Sequence, residues 1–351
     1  MSAQKTKKQK KASLVLKSNL LKIGVSGAFF KSTMLPSWWN ESCESDEGCL
    51  QCLMVRVMRF LQCSPQMARK CMHEAVEGLC IPATSQVHLK QISKTKAGEH
   101  VQVTIRICNE LASKLSRAFS EEEILFASDV ECRNDVKETA LKVRREILDC
   151  SGASYVDIQS ILRYCESKGI IVAHFKGVPQ GKIDGAAINH SEHPVIILGS
   201  GKPAMWVPFH LAHELGHVVL GHGTENFCKV DGDAEDDVYE QEANKFAKYL
   251  LLGEMRDSSI PSLKGGGPVA VRQSYILAGR AHRVAPEIMA LFAAYNGGGG
   301  ALYAIVQNTF THAYKDVHDF VNRILKNRLD DLDIGEDERE AIVQYLDYSG
   351  K

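Results

Sequence analysis

Residues 210–222, HLAHELGHVVLGH, contain four histidines and one glutamate in a stretch that is otherwise mostly apolar. His213 and His217 are four residues apart, a spacing that places both imidazoles on one face of an α-helix. Two such imidazoles can bind one zinc ion, and Glu214 lies beside them, rotated by about 100° around the helix axis. Its carboxylate can there take a proton from a zinc-activated water. The H-E-x-x-H pattern predicts a metallopeptidase site in which His213 and His217 bind zinc and Glu214 is the base.

The alternative is a chance match made by ordinary core or surface histidines. The apolar context argues against it, because a buried helix does not carry ionisable groups without partners. His210 precedes His213 by three residues, so it either contacts the zinc ligands or the substrate without binding the metal, or has a structural role. A metzincin would need a third histidine at position 223, where the chain has glycine, and this class is therefore excluded.

The third zinc ligand is expected from the next helical segment, residues 238–254, VYEQEANKFAKYLLLGE. Glu240, Glu242 and His222 are the candidates. Glu240 is favoured because it shares one side of the helix with Asn244 and with alanines that permit close approach. Glu242 is rotated from Glu240 by about 200° and is expected to face solvent. Asn244 is a candidate for a residue that contacts the zinc ligands but not the metal itself.

Together these segments resemble the ImmA/IrrE family of zinc metallopeptidases. The resemblance rests on HELGH followed by EQEANKFAKYLLL, and on the order of helices, hairpin and I-I-L strand upstream; it covers about residues 136–255. It implies a gluzincin-like zinc endopeptidase in which His213, His217 and Glu240 bind zinc and Glu214 is the catalytic base. His210 departs from the family, which usually has threonine there, and residues 252–254 replace its usual proline.

The resemblance also implies a function. Family members make limited cleavages in regulatory proteins, so the expected partner is a helix-turn-helix repressor or an antitoxin, in stress response or phage defence. One alternative is a protease that processes a partner toxin or effector. Another is a regulatory protein that binds without cleaving and uses zinc to stabilise its fold; the intact Glu214 favours the enzyme over this one. The sequence leaves the oligomeric state open.

The helices and strands expected around these residues indicate an α+β protein that is mostly helical. The segments IIVAHF, GAAIN and PVIILG are expected to form a small antiparallel sheet packed on the HExxH helix, with additional helical N- and C-terminal regions. Ile196, Ile197 and Leu198 of PVIILG are expected at an exposed edge, where an extended substrate could add as a strand.

Five segments are expected along the chain. They are a basic disordered tail (1–13), an N-terminal helical domain (14–85), a linker with a helix (86–130), the zinc metallopeptidase domain (131–295) and a C-terminal helical module (296–351). Residues 49–80 are expected to be helical, with a turn at residues 63–65, Cys-Ser-Pro. A helix-turn-helix there is a weaker alternative for part of the second segment, since the stretch is not strongly basic.

Composition limits the remaining classes. The chain has 351 residues, 44% hydrophobic and 24% charged, with a net charge of −1, so no global charge attracts nucleic acid or a membrane. Weak contact with nucleic acid through the basic residues 1–13 is the alternative to a tail without a partner. The sequence contains no apolar run of 18 residues and no secretory signal, and a cytoplasmic protein is expected. Eleven cysteines, an odd number, fit reduced thiols; a second zinc site among the six from Cys43 to Cys80 is the less favoured interpretation.

Overall fold

The computed structural model describes residues 11–23, 25–61, 63–76, 96–120, 135–175, 183–189, 193–199, 203–222, 225–229, 238–263, 267–298, 300–310 and 316–347. The chain divides into two compact units. One comprises Met1–Glu110 with Val343–Lys351, and the other comprises Leu111–Ile342. The candidate zinc-site residues all lie in the second unit.

The first unit is helical in its described part. Its elements are α1 (Ala12–Lys22), α2 (Gly27–Phe29) continued by a π-turn (Phe30–Met34), a 3-10 turn (Glu41–Glu44), α3 (Glu47–Leu61), α4 (Pro65–His73) and most of α5 (Lys96–Ala118). The turn predicted at residues 63–65 is present: the Ser64 hydroxyl accepts a hydrogen bond from the Met67 backbone N–H, and Pro65 begins α4. The helix-turn-helix interpretation of this pair stays a prediction.

The second unit contains the remaining helices. These are α6 (Val136–Ser151), α7 (Ile158–Ser167), α8 (Val207–Leu220), α9 (Val238–Leu252), α10 (Pro268–His282), α11 (Pro286–Asn296), α12 (Ala301–Thr309), α13 (Val317–Asp331) and the first part of α14 (Glu336–Leu346). Among the helices that the structure describes, none combines the length and apolarity needed to cross a bilayer.

A four-stranded sheet packs on α8. Its strands are β1 (Ile171–His174), β2 (Ile183–Asn189), β3 (Pro194–Leu198) and β4 (Glu225–Lys229), in the order β1-β3-β2-β4. The mostly helical α+β class and the three predicted strands are confirmed. The sheet is mixed rather than antiparallel throughout, because β3 returns from β2 into the position next to β1 and runs parallel to it. The strand β4 was not predicted.

The expected substrate edge on β3 is wrong. Ile196, Ile197 and Leu198 are buried and lie on an interior strand, paired with β1 on one side and β2 on the other. Both rows of β3 backbone groups are thereby occupied, so no further strand can add there.

The outer edge of β1 is occupied at His174. Asn322 of α13 accepts a hydrogen bond from the His174 backbone N–H at 2.8 Å and donates one to the His174 carbonyl at 2.9 Å. This side-chain amide pairs with β1 as a neighbouring strand would. The C-terminal helix α13 therefore belongs to the same compact unit as α8, and the boundary predicted at residue 296 does not coincide with a boundary between compact units.

The other predicted boundaries fall partly outside the described residues. Of the expected tail 1–13, residues 1–10 are outside, and α1 already begins at Ala12. Of the expected linker 86–130, residues 86–95 and 121–130 are outside. The five-segment division as a whole stays a prediction.

Candidate metal centre

The H-E-x-x-H segment forms α8, as its spacing predicts. A proline in its first turn supplies a helical φ without needing a hydrogen bond, and Gly221, with φ of 65°, ends the helix in the left-handed conformation. Gly216 lies against α9: a Cβ there would be 3.0 Å from Cδ1 of Phe246. The missing side chain lets α9 approach α8 closely, and the two helices form one wall of the site.

Three side chains of α8 and α9 converge. Nε2 of His213 lies 3.2 Å from Oε2 of Glu240, Nε2 of His217 lies 3.4 Å from Oε1 of the same carboxylate, and the two Nε2 atoms are 3.1 Å apart. One ligand atom from each residue lies within 4.8 Å of the others. Two imidazole nitrogens and a carboxylate oxygen at such distances are a donor set that suits a divalent metal ion. The structure thus brings together the three residues that were expected to bind zinc.

The charges of this cluster are coupled. Burial disfavours the charged form of His213, but hydrogen bonding and attraction to Glu240 outweigh it and raise the pKa of His213. Burial also disfavours the charged form of Glu240, yet hydrogen bonds from His213 and His217 hold the pKa of its carboxyl far below its usual range. Both pKa shifts thus depend on the hydrogen bonds between the imidazoles and the Glu240 carboxylate.

A second layer of side chains orients the two imidazoles. Nδ1 of His213 is 3.0 Å from Oδ1 of Asn244, and Nδ1 of His217 is 3.1 Å from Nδ1 of His222. If each Nε2 keeps its lone pair for a metal, each Nδ1–H donates outward, to Asn244 and to His222 respectively. The expected role of Asn244 behind the ligands matches this geometry.

Glu242 is partly exposed, at 36% of its side chain, and it also has a partner that was not expected. Its Oε2 lies 2.9 Å from Nε2 of His222, so the carboxylate accepts the His222 N–H while His222 Nδ1 accepts from His217. A chain of hydrogen bonds runs from Glu242 through His222 to His217. The angle between Glu240 and Glu242 around the α9 axis correctly predicted that Glu242 lies outside the ligand cluster. It could not predict that His222, after the end of α8, would contact Glu242.

Glu214 is almost completely buried and points at the sheet. A Cβ on Gly185 of β2 would lie 2.5 Å from Oε1 of Glu214 and 3.0 Å from its Cδ and Cγ. Gly185 was missed by the sequence analysis, although an isolated glycine in a strand is itself a signal of close approach. The glycine leaves the space that the Glu214 carboxylate occupies beside the ligand cluster.

His210 lies outside the ligand cluster. Its Nε2 is 3.9 Å from Oδ2 of Asp184, the residue before Gly185 on β2, and its ring stacks on Trp206 at 6.2 Å between centroids. Both side chains of the His210–Asp184 pair are mostly buried. Asp184 carried no sequence signal, because its proximity to His210 depends on how β2 packs on α8.

No second metal group occurs within the described ranges. Apart from His213, His217 and Glu240, no three His, Cys, Asp or Glu side chains there bring ligand atoms comparably close. The five cysteines from Cys43 to Cys71 are free thiols, and Cys80 lies outside the described residues.

Comparison with known families agrees with the geometry. Residues 165–255 match the family model of the IrrE N-terminal-like domain, Peptidase_M78. The match extends from α7 to just past α9 and so includes Glu214 and all three residues of the cluster. It confirms the resemblance to the ImmA/IrrE family over this segment and supports a metallopeptidase. A search of curated proteins found no match.

Proposed function

We propose that the protein is a zinc-dependent endopeptidase that makes limited cleavages in a partner regulatory protein. The observation that carries the proposal is the convergence of His213, His217 and Glu240, with the Glu214 carboxylate held beside them against Gly185. A scaffold that used a metal only to stabilise its fold would have no need for a buried carboxylate there. That alternative, a binding protein that does not cleave, is therefore disfavoured.

The residues suit a catalytic zinc ion. Three protein ligands leave a fourth coordination position open, whereas structural zinc sites are closed by four. Zinc at this site would supply Lewis acidity, which makes a water molecule acidic near neutral pH and polarises a peptide carbonyl. Asn244 and His222 would fix the rings of His213 and His217 so that each presents Nε2.

Glu214 acts as the proton carrier in this proposal. Its carboxylate accepts the proton of the attacking water and then donates it to the amine that leaves when the peptide bond breaks. Gly185 limits where the carboxylate can lie, because the carboxylate occupies the space that a Cβ at this position would need. Positioning of this kind is what makes a general base effective.

The substrate is proposed to bind as an extended segment along β4 rather than β3. Among the described strands, β4 pairs with β2 alone, so its outer row of backbone groups can take a further strand. Cys228 of β4 pairs with Gly185, the residue that contacts Glu214. A peptide added to β4 would thus run one strand away from the Glu214 contact.

The target is proposed to be a helix-turn-helix repressor or an antitoxin that exposes such a segment, with a role in stress response or phage defence in the cytoplasm. The family resemblance supports this choice of partner. A toxin or effector processed by the same chemistry is the second candidate. Zinc is the proposed metal because the donor set, two imidazoles and a carboxylate, is that of gluzincins.

The test compares the wild-type protein with Glu214→Gln. Each is loaded with zinc and incubated with the product of a neighbouring gene, and new termini are mapped by mass spectrometry. We expect discrete cleavage by the wild type, and none by Glu214→Gln at about one zinc per chain in both, since glutamine cannot accept the proton but is not a ligand. Full cleavage by Glu214→Gln would refute the mechanism. Binding without cleavage by the zinc-loaded wild type would favour the non-cleaving alternative.

A further inference from the structure

A cavity of about 490 Å³ lies beside the metal centre, between the start of α8, the second half of α9 and α11. Five aromatic side chains line it: Trp206, Phe209, Tyr249, Phe292 and Tyr295. Its volume is within the range of pockets that bind small ligands. Neither the ligand cluster nor Glu214 lines it, so the proposed zinc chemistry does not account for it.

The aromatic rings form a wall with a defined shape. Trp206 meets Phe209 and Tyr295 edge to face, with centroids 5.9 Å and 6.1 Å apart, and Phe209 meets Phe292 in the same manner at 5.9 Å. Edge-to-face contacts of this kind are favourable and hold each ring in place. Tyr295 nevertheless remains 63% exposed. Trp206, Phe209 and Tyr249 are partly buried, so the wall combines held rings with one exposed aromatic side chain that a ligand could cover.

The cavity is adjacent to the candidate zinc ligands. The Phe209 ring lies 6.2 Å from the His213 ring, and Asn244, which also lines the cavity, contacts Nδ1 of His213. An extended peptide advances by about 3.3 Å per residue. A substrate segment that passes the ligand cluster can therefore place a side chain in the cavity from a residue a few positions away from the bond to be cleaved.

The rim of the cavity is positive. Lys245 and Lys248 of α9 both line it. Lys248 pairs with Asp257 at 3.2 Å, whereas no carboxylate within the described ranges pairs with the exposed Lys245. An acidic residue of a bound peptide would find an ion-pair partner at Lys245. Because rim pairs in water are weak, we expect a few-fold selectivity from this contact and most of the affinity from the aromatic wall.

We propose that this cavity is the specificity pocket of the peptidase, and that it receives a large apolar side chain, aromatic above all, next to an acidic residue of the substrate. The inference rests on the proposed function and names the sequence that the site selects. Trp206, Phe209 and Tyr295 hold the apolar side chain, and Lys245 attracts the neighbouring carboxylate.

Binding is measured without cleavage, on zinc-loaded Glu214→Gln that also carries Trp38→Phe and Trp39→Phe. Trp206 is then the only tryptophan, since the chain has three, and its fluorescence reports on the cavity. The probes are blocked tetrapeptides with central Phe-Glu, Glu-Phe, Ala-Glu or Phe-Lys. We expect a saturable change with Phe-Glu or Glu-Phe, at least tenfold weaker binding of Ala-Glu, and binding of Phe-Lys about two- to fivefold weaker.

Three further variants in this background assign the contacts. Tyr295→Ala removes an exposed wall and should weaken Phe-Glu binding about tenfold. Lys245→Glu should reverse the preference, so that Phe-Lys binds better than Phe-Glu. Arg280→Glu reverses another exposed charge outside the cavity and is the matched control, which should behave like the parent. No difference between Phe-Glu and Ala-Glu, or reversal by Arg280→Glu as much as by Lys245→Glu, would overturn the proposal.

A cleavage assay separates this inference from the proposed function. The wild type and Tyr295→Ala are incubated with a peptide library, and the cut sites are sequenced. Cleavage enriched for large apolar residues beside acids, with the enrichment lost in Tyr295→Ala, supports the pocket. Cleavage without that enrichment refutes the pocket but leaves the peptidase standing. Probe binding at Trp206 without any cleavage supports the pocket and counts against the peptidase.

Discussion

Gly185→Ala should disable the enzyme while leaving its fold and its zinc content intact. The added Cβ would lie 2.5 Å from Oε1 of Glu214, whereas ordinary contact begins at 3.4 Å. The carboxylate must therefore move by about 0.9 Å, and Cδ and Cγ, each at 3.0 Å, must move with it. Since these atoms are the end of a flexible side chain, the movement is inexpensive for folding. It displaces the group that has to accept the proton.

The size of the loss follows from this displacement. A misplacement of about 1 Å in a catalytic group can reduce the rate by about 10²-fold, which corresponds to about 2.7 kcal/mol of transition-state stabilisation. We expect this loss in kcat, with KM little changed, because Glu214 acts on the water and not on the remote parts of the substrate. The zinc content should stay that of the wild type, as Glu214 is outside the ligand cluster.

The assay measures kcat and KM on the mapped cleavage site, zinc per chain and the midpoint of thermal unfolding. Gly267→Ala is the matched control, since a Cβ there would meet nothing within 4 Å. It should retain full activity. Wild-type kcat in Gly185→Ala would refute the claim that Gly185 positions Glu214. Loss of zinc, or collapse of the unfolding midpoint, would show instead that the substitution disturbs the packing of β2 on α8.

Two further predictions follow from the charges. Glu240→Ala should lose zinc and activity, whereas Glu242→Ala, which acts through His222, should keep the metal with an affinity lower by about 10- to 100-fold. Competition with a chelator measures the zinc affinity of both variants. Zinc retained by Glu240→Ala would show that another residue is the third ligand. Burial raises the pKa of Glu287, so the carboxyl reduces folded stability as pH rises above its unfolded value of about 4.5. Glu287→Gln should therefore raise the unfolding midpoint at pH 8 more than at pH 4.5, and an equal change at both values would contradict this origin.

The sequence predicted what depends on local geometry. Residues four apart share a helix face whatever surrounds them, so the spacing of His213 and His217 was enough to place both imidazoles together. The same periodicity put Glu240 on the side of α9 that carries Asn244 and removed Glu242 from that side. Even the turn at residues 63–65 followed from local rules, because a serine cap and a proline in the first turn begin a helix.

The arrangement of the sheet required the tertiary structure. PVIILG was correctly predicted as a strand, but its position between β1 and β2 depends on which strands pair, and pairing involves residues distant in the chain. One signal was present in the sequence: an unbroken apolar run is typical of a strand buried on both faces. Among the described strands, the order places β3 between β1 and β2 and places β4 at the end of the sheet.

Two contacts that complete the site are non-local. Gly185 contacts Glu214 because β2 packs on α8, and Glu242 reaches His222 because the start of α9 lies beside the end of that helix. Helical and strand periodicity determine which way a side chain points from its own element, since they depend only on backbone dihedrals. They do not determine which element lies opposite, because that is decided by the packing of the whole core.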